Sequence, residues 1–211
     1  MVLSAVCLSA TGIAQTSLSK SDEALLRRVD DRYNHLKSLR ARYTEHYGGM
    51  GLDRSETGTL LLKKPGRMLW SYDQPAGKVF VFDGKYAWFY TPGDPQVQRI
   101  PARQMDDLHT PLRFLLGHTQ LKKELNGISV KPDGDGFRIS GTPRLPGARL
   151  QQLVLRVDGD GTIVAMDAKE ADGSATSFIF RDMQENVPAR DKDFVFKVPS
   201  GVTIVSGEPP L

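Results

Sequence analysis

The chain opens, past its first residues, on a helical pattern and then changes period. Leu25, Leu26, Val29, Tyr33 and Leu36 recur at three- and four-residue intervals, the single apolar stripe of an amphipathic helix. Ser19 or Ser21 is placed to cap it, and Asp22 and Glu23 fall in the first turn, where the helix dipole favours negative charge. From Leu39 the period is two: Leu39, Ala41 and Tyr43 alternate with Arg40, Arg42 and Thr44, a half-buried strand that Gly48 to Gly51 breaks. Strand-like runs follow at Gly58–Lys63, Arg67–Tyr72, Lys78–Phe82, Tyr86–Tyr90, Ile128–Lys131, Phe137–Ser140, Leu150–Val157, Thr162–Lys169, Thr176–Arg181 and Phe194–Val198. Between them stand Asp83-Gly84, Asp133-Gly134-Asp135-Gly136, Asp158-Gly159-Asp160-Gly161 and Asp172-Gly173, the dipeptides that favour tight hairpin turns. Many short strands joined this way predict a mainly β, α+β chain built on an antiparallel sheet or barrel. One segment departs from it. Thr110 to Gly117 has a capping Thr, Pro at the first helical position and Gly just past the end, predicting a short helix apolar on most of its circumference.

The aromatic residues are unevenly spread. Eight of them, both tryptophans included, lie between Trp70 and Tyr90. With Asp83-Gly84 as a two-residue turn, Phe82 would pair with Lys85 and Phe80 with Ala87. Alternation then puts Phe80, Phe82, Ala87 and Phe89 on one face and Val79, Val81, Tyr86, Trp88 and Tyr90 on the other. Both faces are apolar, whereas a sheet with one wet face alternates apolar with polar. Each side of this hairpin therefore needs a cover, either protein core or an apolar ligand, and the two use the same residue types.

Composition narrows the class. With 25% charged and 39% hydrophobic residues, the 211-residue chain is an ordinary globular one and not a disordered one. A net charge of +3 is too small to argue for a nucleic-acid partner, which normally leaves a basic stripe, and none is expected. Cys7 stands alone, which excludes an internal disulfide framework and a cysteine-based zinc site. It falls within Met1–Ala14, an uncharged stretch too short to span a bilayer, which reads as the apolar core of a secretory signal. Gly12-Ile13-Ala14 supplies the small residues of a cleavage site; a basic leader is missing and would lie upstream. Val6 is too large a neighbour for lipidation of Cys7. The expectation is an exported protein with one domain over residues 19–206 and a tail over 207–211.

No arrangement of reactive residues demands catalysis. His35, His46, His109 and His118 form no HExxH or i, i+4 pair, and no GxSxG, P-loop or GxGxxG follows a strand. Asp158-Gly-Asp160-Gly starts like a calcium loop but lacks the later ligands, so it reads as a turn. Glu45, Glu56, Asp106, Asp107 and Glu124 are of the type that supplies a general acid and base, yet nothing in their spacing requires it, and they read as solvated surface. No metal or cofactor is expected.

Several local patterns, in order, agree with one family. Leu61–Trp70 (LLKKPGRMLW), Tyr72-Asp73-Gln74-Pro75, Asp83–Pro92 (DGKYAWFYTP), the Thr110-Pro111 helix, Asp160-Gly161-Thr162-Ile163 and Phe194–Ile204 (FVFKVPSGVTI) resemble the outer-membrane lipoprotein carrier protein (LolA) family. The N-terminal helix followed by Leu39–Tyr47 fits as well. The resemblance implies a half-open antiparallel β-barrel with an N-terminal helix and short lid helices over its mouth. It implies a monomeric periplasmic carrier, not an enzyme, whose hydrophobic interior takes the acyl chains of lipoproteins. Such carriers receive cargo from an inner-membrane ABC transporter and deliver it to an outer-membrane lipoprotein receptor.

Carried over residue by residue, the resemblance places Leu61, Met68, Trp70, Phe80, Phe82, Trp88 and Phe89 at the ligand cavity and Leu112, Phe114, Leu115 and Leu116 on the lid. Lys64 stands where family members carry an arginine that hydrogen-bonds the lid shut, and a point-charge ammonium does not reproduce a planar fork of donors. Two other readings remain open: a periplasmic lipoprotein-sensing regulatory domain on the same half-barrel, and an exported hydrolase using carboxylates in a cleft.

Overall fold

The computed structural model describes residues 18–102, 120–144 and 150–206. Helix α1 (Lys20–His35) begins at a capping box, in which the Ser19 hydroxyl accepts from the Asp22 N–H while the Asp22 carboxylate accepts from the Ser19 N–H. Strands β1 (Ser38–Gly49), β2 (Leu52–Lys63), β3 (Arg67–Tyr72), β4 (Val79–Phe82), β5 (Tyr86–Tyr90) and β6 (Gln96–Pro101) follow. After the one-turn helix α2 (Leu121–Glu124) come β7 (Leu125–Asp133), β8 (Gly136–Pro143), β9 (Leu150–Val157), β10 (Ile163–Glu170), β11 (Ala175–Glu185) and β12 (Thr203–Ser206). All twelve belong to one sheet, ordered β12-β6-β5-β4-β3-β2-β1-β11-β10-β9-β8-β7. Neighbours are antiparallel except β12, which lies parallel to β6. With β12 and β7 as its edges the sheet stays unclosed, a half-open barrel.

Two departures from the sequence reading are instructive. The hairpin after β4 turns on Gly84-Lys85, so Phe82 pairs with Ala87 and Phe80 with Phe89. The Asp83 carboxylate accepts from the N–H groups of Lys85 and Tyr86, and Gly84 supplies φ +94°. The slip moves each partner by two positions, so every side chain keeps its expected face. Phe194–Val198, expected as a strand, instead starts with the last residue of a 3₁₀ turn (Asp191–Phe194) and has no ladder.

One face of the sheet, the inner one, carries the large core. Leu39, Ala41 and Tyr43 of β1, Leu60 and Leu62 of β2, Met68 and Trp70 of β3, Phe178 and Phe180 of β11 and Leu153 and Leu155 of β9 are buried there with Leu25, Leu26, Val29 and Tyr33 of α1. The helix is tied down through the β9–β10 turn and β11. The Tyr33 hydroxyl accepts the Ile163 N–H at 2.9 Å, and Arg32 pairs with Asp160 at 3.2 Å and Glu185 at 2.7 Å. Gly161 is required at that turn, because a Cβ would meet the backbone of Arg28 and Val29 at 3.2 Å.

The outer face of β2–β5 is covered by the chain's own C-terminal segment. Phe194, fully buried, packs with Leu61 and Val81, joined by Leu69, Val79, Trp88, Val187, Ala189 and Phe196. Asp191 anchors the segment by accepting from Lys63 Nζ and from Arg67 Nη1. The Ser38 hydroxyl donates to the Val187 carbonyl at 2.6 Å. Truncating Phe194 to alanine should therefore cost about 3–5 kcal/mol in urea unfolding, while the exposed neighbour Val195→Ala should stay within about 0.5 kcal/mol.

Asp30 joins the two helices, its carboxylate accepting the Leu121 N–H at 3.0 Å. Burial lifts its pKa to about 6. A carboxyl whose folded pKa lies above its unfolded value favours the fold only while protonated, so its charge erodes stability as pH rises from the ordinary value of 3.8 through about 6. Asp30→Asn keeps the acceptor without the charge. It should raise the thermal midpoint at pH 7.5, with the gain vanishing below about pH 4.

Candidate functional site

Alternation along β1–β5 decides which predicted residues meet. Leu60, Leu62 and Met68, Trp70 are cross-strand neighbours on the inner face, and the ladder continues from Met68 to Phe82 and from Trp70 to Phe80, then from Phe80 to Phe89. Met68 and Trp70 are buried, while Phe80, Phe82 and Phe89 remain half-buried. Trp70 is held by aromatic contacts, with ring centroids 4.6 Å from Tyr43 and 5.4 Å from Phe178. Its Nε1–H is buried with no hydrogen-bond partner among the described residues.

Leu61 and Trp88 are not part of this surface. Both side chains leave the opposite side of the sheet and pack with Phe194 and Phe196 under the C-terminal segment. The Trp88 Nε1–H donates to Asp83 at 3.0 Å, fixing it there. The reason is period two: Leu61 lies between inner-facing Leu60 and Leu62, and Trp88 between Ala87 and Phe89. Their expected place at the cavity is thereby corrected. Leu112, Phe114, Leu115 and Leu116 lie outside the described residues, as do Asp106 and Asp107.

Lys64 follows the last residue of β2, where its N–H donates to the Lys37 carbonyl at 2.9 Å. Its ammonium nitrogen is buried without a hydrogen-bond partner among the described residues, and that burial lowers its pKa. A desolvated amine with three unused donors is the feature at this position.

The structure also brings together residues that sequence reasoning treated as solvated surface. Glu45 and Glu56 are direct cross-strand partners on the inner face. Lys78, 6% exposed, donates to Glu56 and lies 4.2 Å from the Tyr72 ring centroid and 5.6 Å from that of Phe89. Burial and then the neighbouring Glu56 push the Glu45 carboxyl up, and burial drives the Tyr43 and Tyr72 hydroxyls far above their ordinary range. Tyr43 reaches over Gly58, where a Cβ would stand 2.6 Å from its hydroxyl and 2.2 Å from the Ser71 carbonyl. The signal was present in the sequence. Glu45 shares the parity of Tyr43 and Tyr47, and Glu56 that of Leu60 and Leu62, so two carboxylates interrupt apolar stripes.

Elsewhere the polar groups close turns. Asp158 and Asp160 both accept the Thr162 N–H, at 2.8 and 3.0 Å, as a turn requires. His46, Ser55 and Asp53 cluster on the outer side of the β1–β2 hairpin. Ser55 Oγ at 3.0 Å and Asp53 at 3.8 Å both approach the same nitrogen, Nδ1, whereas a proton relay needs the two nitrogens on different partners.

Comparison with known proteins agrees with this geometry. The model of the family described as outer membrane lipoprotein carrier protein LolA matches residues 34–197. An outer-membrane lipoprotein carrier protein of Sodalis glossinidius is 28% identical over 200 residues, covering 94% of each chain. That of Salmonella typhi is 30% identical over 178 residues, covering 83% of this chain and 85% of its own. Among solved structures, the lipoprotein LppX of Mycobacterium tuberculosis shares the fold at TM-score 0.50 and 15% identity, over 80% of this chain and 98% of its own. A DUF1329 family protein from Desulfovibrio piger does so at TM-score 0.50 and 13% identity, over 82% and 96%. A family match running from the end of α1 through the C-terminal covering segment takes in eleven of the twelve strands, and the chain accordingly belongs to the LolA family of outer-membrane lipoprotein carrier proteins.

Proposed function

We propose that this protein is an exported, non-enzymatic carrier that binds the acyl chains of lipoproteins against the inner face of its sheet. In this reading it takes cargo from an inner-membrane ABC transporter, crosses the periplasm and delivers to an outer-membrane lipoprotein receptor. The observation that carries the proposal is the asymmetry of β3–β5. Their outer face is sealed by Phe194 and its neighbours, while Phe80, Phe82 and Phe89 stay half-buried on the inner face beside Trp70. The names of the relatives support the cargo class.

The chemistry explains the need. A C16 chain exposes about 15 methylenes, and at ~0.8 kcal/mol each its transfer into water costs about 12 kcal/mol. An apolar surface on the protein removes most of that cost, and a receptor binding about 1.4 kcal/mol more tightly draws cargo onward tenfold. Among the described residues no helix is long and apolar enough to cross a membrane. The cover, in this proposal, comes from the apolar segment holding Leu112, Phe114, Leu115 and Leu116. Lys64 supplies donors toward it in place of an arginine fork, so closure is held by a point charge that is costly to desolvate, and opening is correspondingly easier.

Incubation with a tripalmitoylated lipopeptide in vesicles should yield a water-soluble one-to-one complex, read by native mass spectrometry. Phe80→Asp and Phe89→Asp should weaken it at least tenfold while leaving a cooperative unfolding transition. Trp88→Ala, on the sealed face, should lower stability and leave affinity within about twofold. Equal losses of affinity for substitutions on both faces would remove the proposal.

A further inference from the structure

The inner face carries a charged island at the hairpin end of β1 and β2. Its members are Glu45, Glu56, Lys78 and Arg54, framed by Tyr43, Tyr47, Tyr72, Phe89 and Phe178, which is the β11 partner of Glu45. The hydrogen-bonding capacity is unevenly used. Lys78 is neutralised in contact with Glu56 Oε1 and sits over the Tyr72 ring. Arg54 Nε lies 3.3 Å from Glu56 Oε2, with half of its side chain in solvent. Three groups are left over. Among the described residues, Glu56 Oε2, although ion-paired with Arg54, and the hydroxyl of Tyr43, a residue 2% exposed, are buried with no hydrogen bond, and the half-buried Glu45 carboxyl makes neither a hydrogen bond nor an ion pair, while feeling the charges of Arg54 and Lys78.

Burying acceptors without donors is unfavourable, and a fold keeps them where a ligand completes them. The spare capacity is chiefly acceptor, and Glu45 is the carboxylate of the island with no cation paired to it. What it can complete is an N–H or O–H group that is not anionic; a carboxylate or phosphate head would meet Glu45 in a low-dielectric setting. The half-buried Phe89 and the Tyr72 ring continue directly from the island to Phe80 and Trp70, so a head held here would send its chain along the apolar face.

We propose that Glu45, Glu56 and Tyr43 form a polar subsite that takes the uncharged, N–H-bearing head of an acylated ligand and rejects fatty-acid and phosphate-headed lipids. The inference rests on the carrier reading and specifies its ligand: an amide-linked acyl group, as at an acylated amino terminus, against anionic long-chain lipids. Arg54 and Lys78 shape the subsite by holding Glu56, leaving Glu45 as the group that meets the ligand.

The test uses three ligands of one chain length, dodecanamide, methyl dodecanoate and dodecanoate, competing at pH 8 for a fluorescent acyl probe bound to the full chain. The wild type should prefer the amide to the ester by about fivefold and to the anion by about tenfold or more. Glu45→Gln, nearly isosteric, should bring the anion at least about fivefold closer to the amide while changing amide affinity by less than about twofold. Glu45→Leu should drop the amide to the level of the ester. If Glu45→Leu does not fold, the Glu45→Gln ratio decides alone. An unchanged amide-to-anion ratio in Glu45→Gln overturns the subsite while leaving the carrier reading intact. A folded wild type that binds the probe and none of the three ligands overturns the subsite too, and failure to bind any acyl probe removes the carrier reading with it.

Discussion

Phe194 is the side chain on which the rest of the molecule depends. Strands β2–β5 are apolar on both faces, a pattern that ordinarily means a buried central sheet or a protein that aggregates. Phe194 and the segment around it bury the outer face against Leu61, Val81, Leu69 and Trp88. The ion pairs from Asp191 to Lys63 and Arg67 hold that segment over the strands. With one face satisfied by the chain itself, the inner face is free to be hydrophobic for another purpose. A sheet proposed to accept apolar ligand on one side cannot present an apolar face on both.

The inner face is in turn divided. On the β8–β11 side, α1 closes the surface with Leu25, Leu26, Val29 and Tyr33, and its position is over-determined by Tyr33, Arg32 and the close approach at Gly161. On the β3–β5 side the rings are only half-covered. A rigid half and an open half suit a carrier. In the proposed carrier, packing energy would come from the closed half and affinity from the half that exchanges protein contacts for ligand contacts. Among the described residues, six groups are buried without a hydrogen bond: Tyr43 Oη, Glu56 Oε2, Lys64 Nζ, Trp70 Nε1, Gln98 Oε1 on β6 and Arg156 Nε on β9. Four of the six lie on or beside β2 and β3, where stability alone does not explain them.

Much of this was legible in the sequence. The helix over Leu25–Leu36, the Asp-Gly turns and the two-faced aromatic hairpin follow from periodicity and turn chemistry, and the face assignments survive a register that differs from the expected one because the slip is even. Leu61 and Trp88 were misplaced for a different reason. In the run Leu60-Leu61-Leu62, hydrophobicity carries no parity, and only the long-range contact with Phe194 tells the faces apart. β6 and β12 are hidden because their sequences hold few apolar residues in alternation, and β12 exists through its parallel pairing with β6, a contact about a hundred residues distant in the chain. Glu45 and Glu56 were discounted because an isolated glutamate is ordinarily solvated; their shared parity with tyrosines and leucines is the clue that base rates concealed.

The charged island bears on how tightly such a protein should bind. A surface offering only rings and aliphatic chains would take any lipid, anionic ones included. It would also bind in proportion to buried area, with nothing to set one long-chain ligand above another. Placing carboxylates at one end changes the balance in two ways. They add an unfavourable contribution against every anionic head, a discrimination that hydrophobic contacts cannot supply, since a methylene more or less is worth only about 0.8 kcal/mol. They also leave acceptors unmet when the protein is empty, so a ligand with a suitable donor gains more than its apolar area alone would give. The pair between Lys78 and Glu56 makes the arrangement tolerable in the absence of ligand, because it neutralises one of the two buried carboxylates and leaves a single one for recognition.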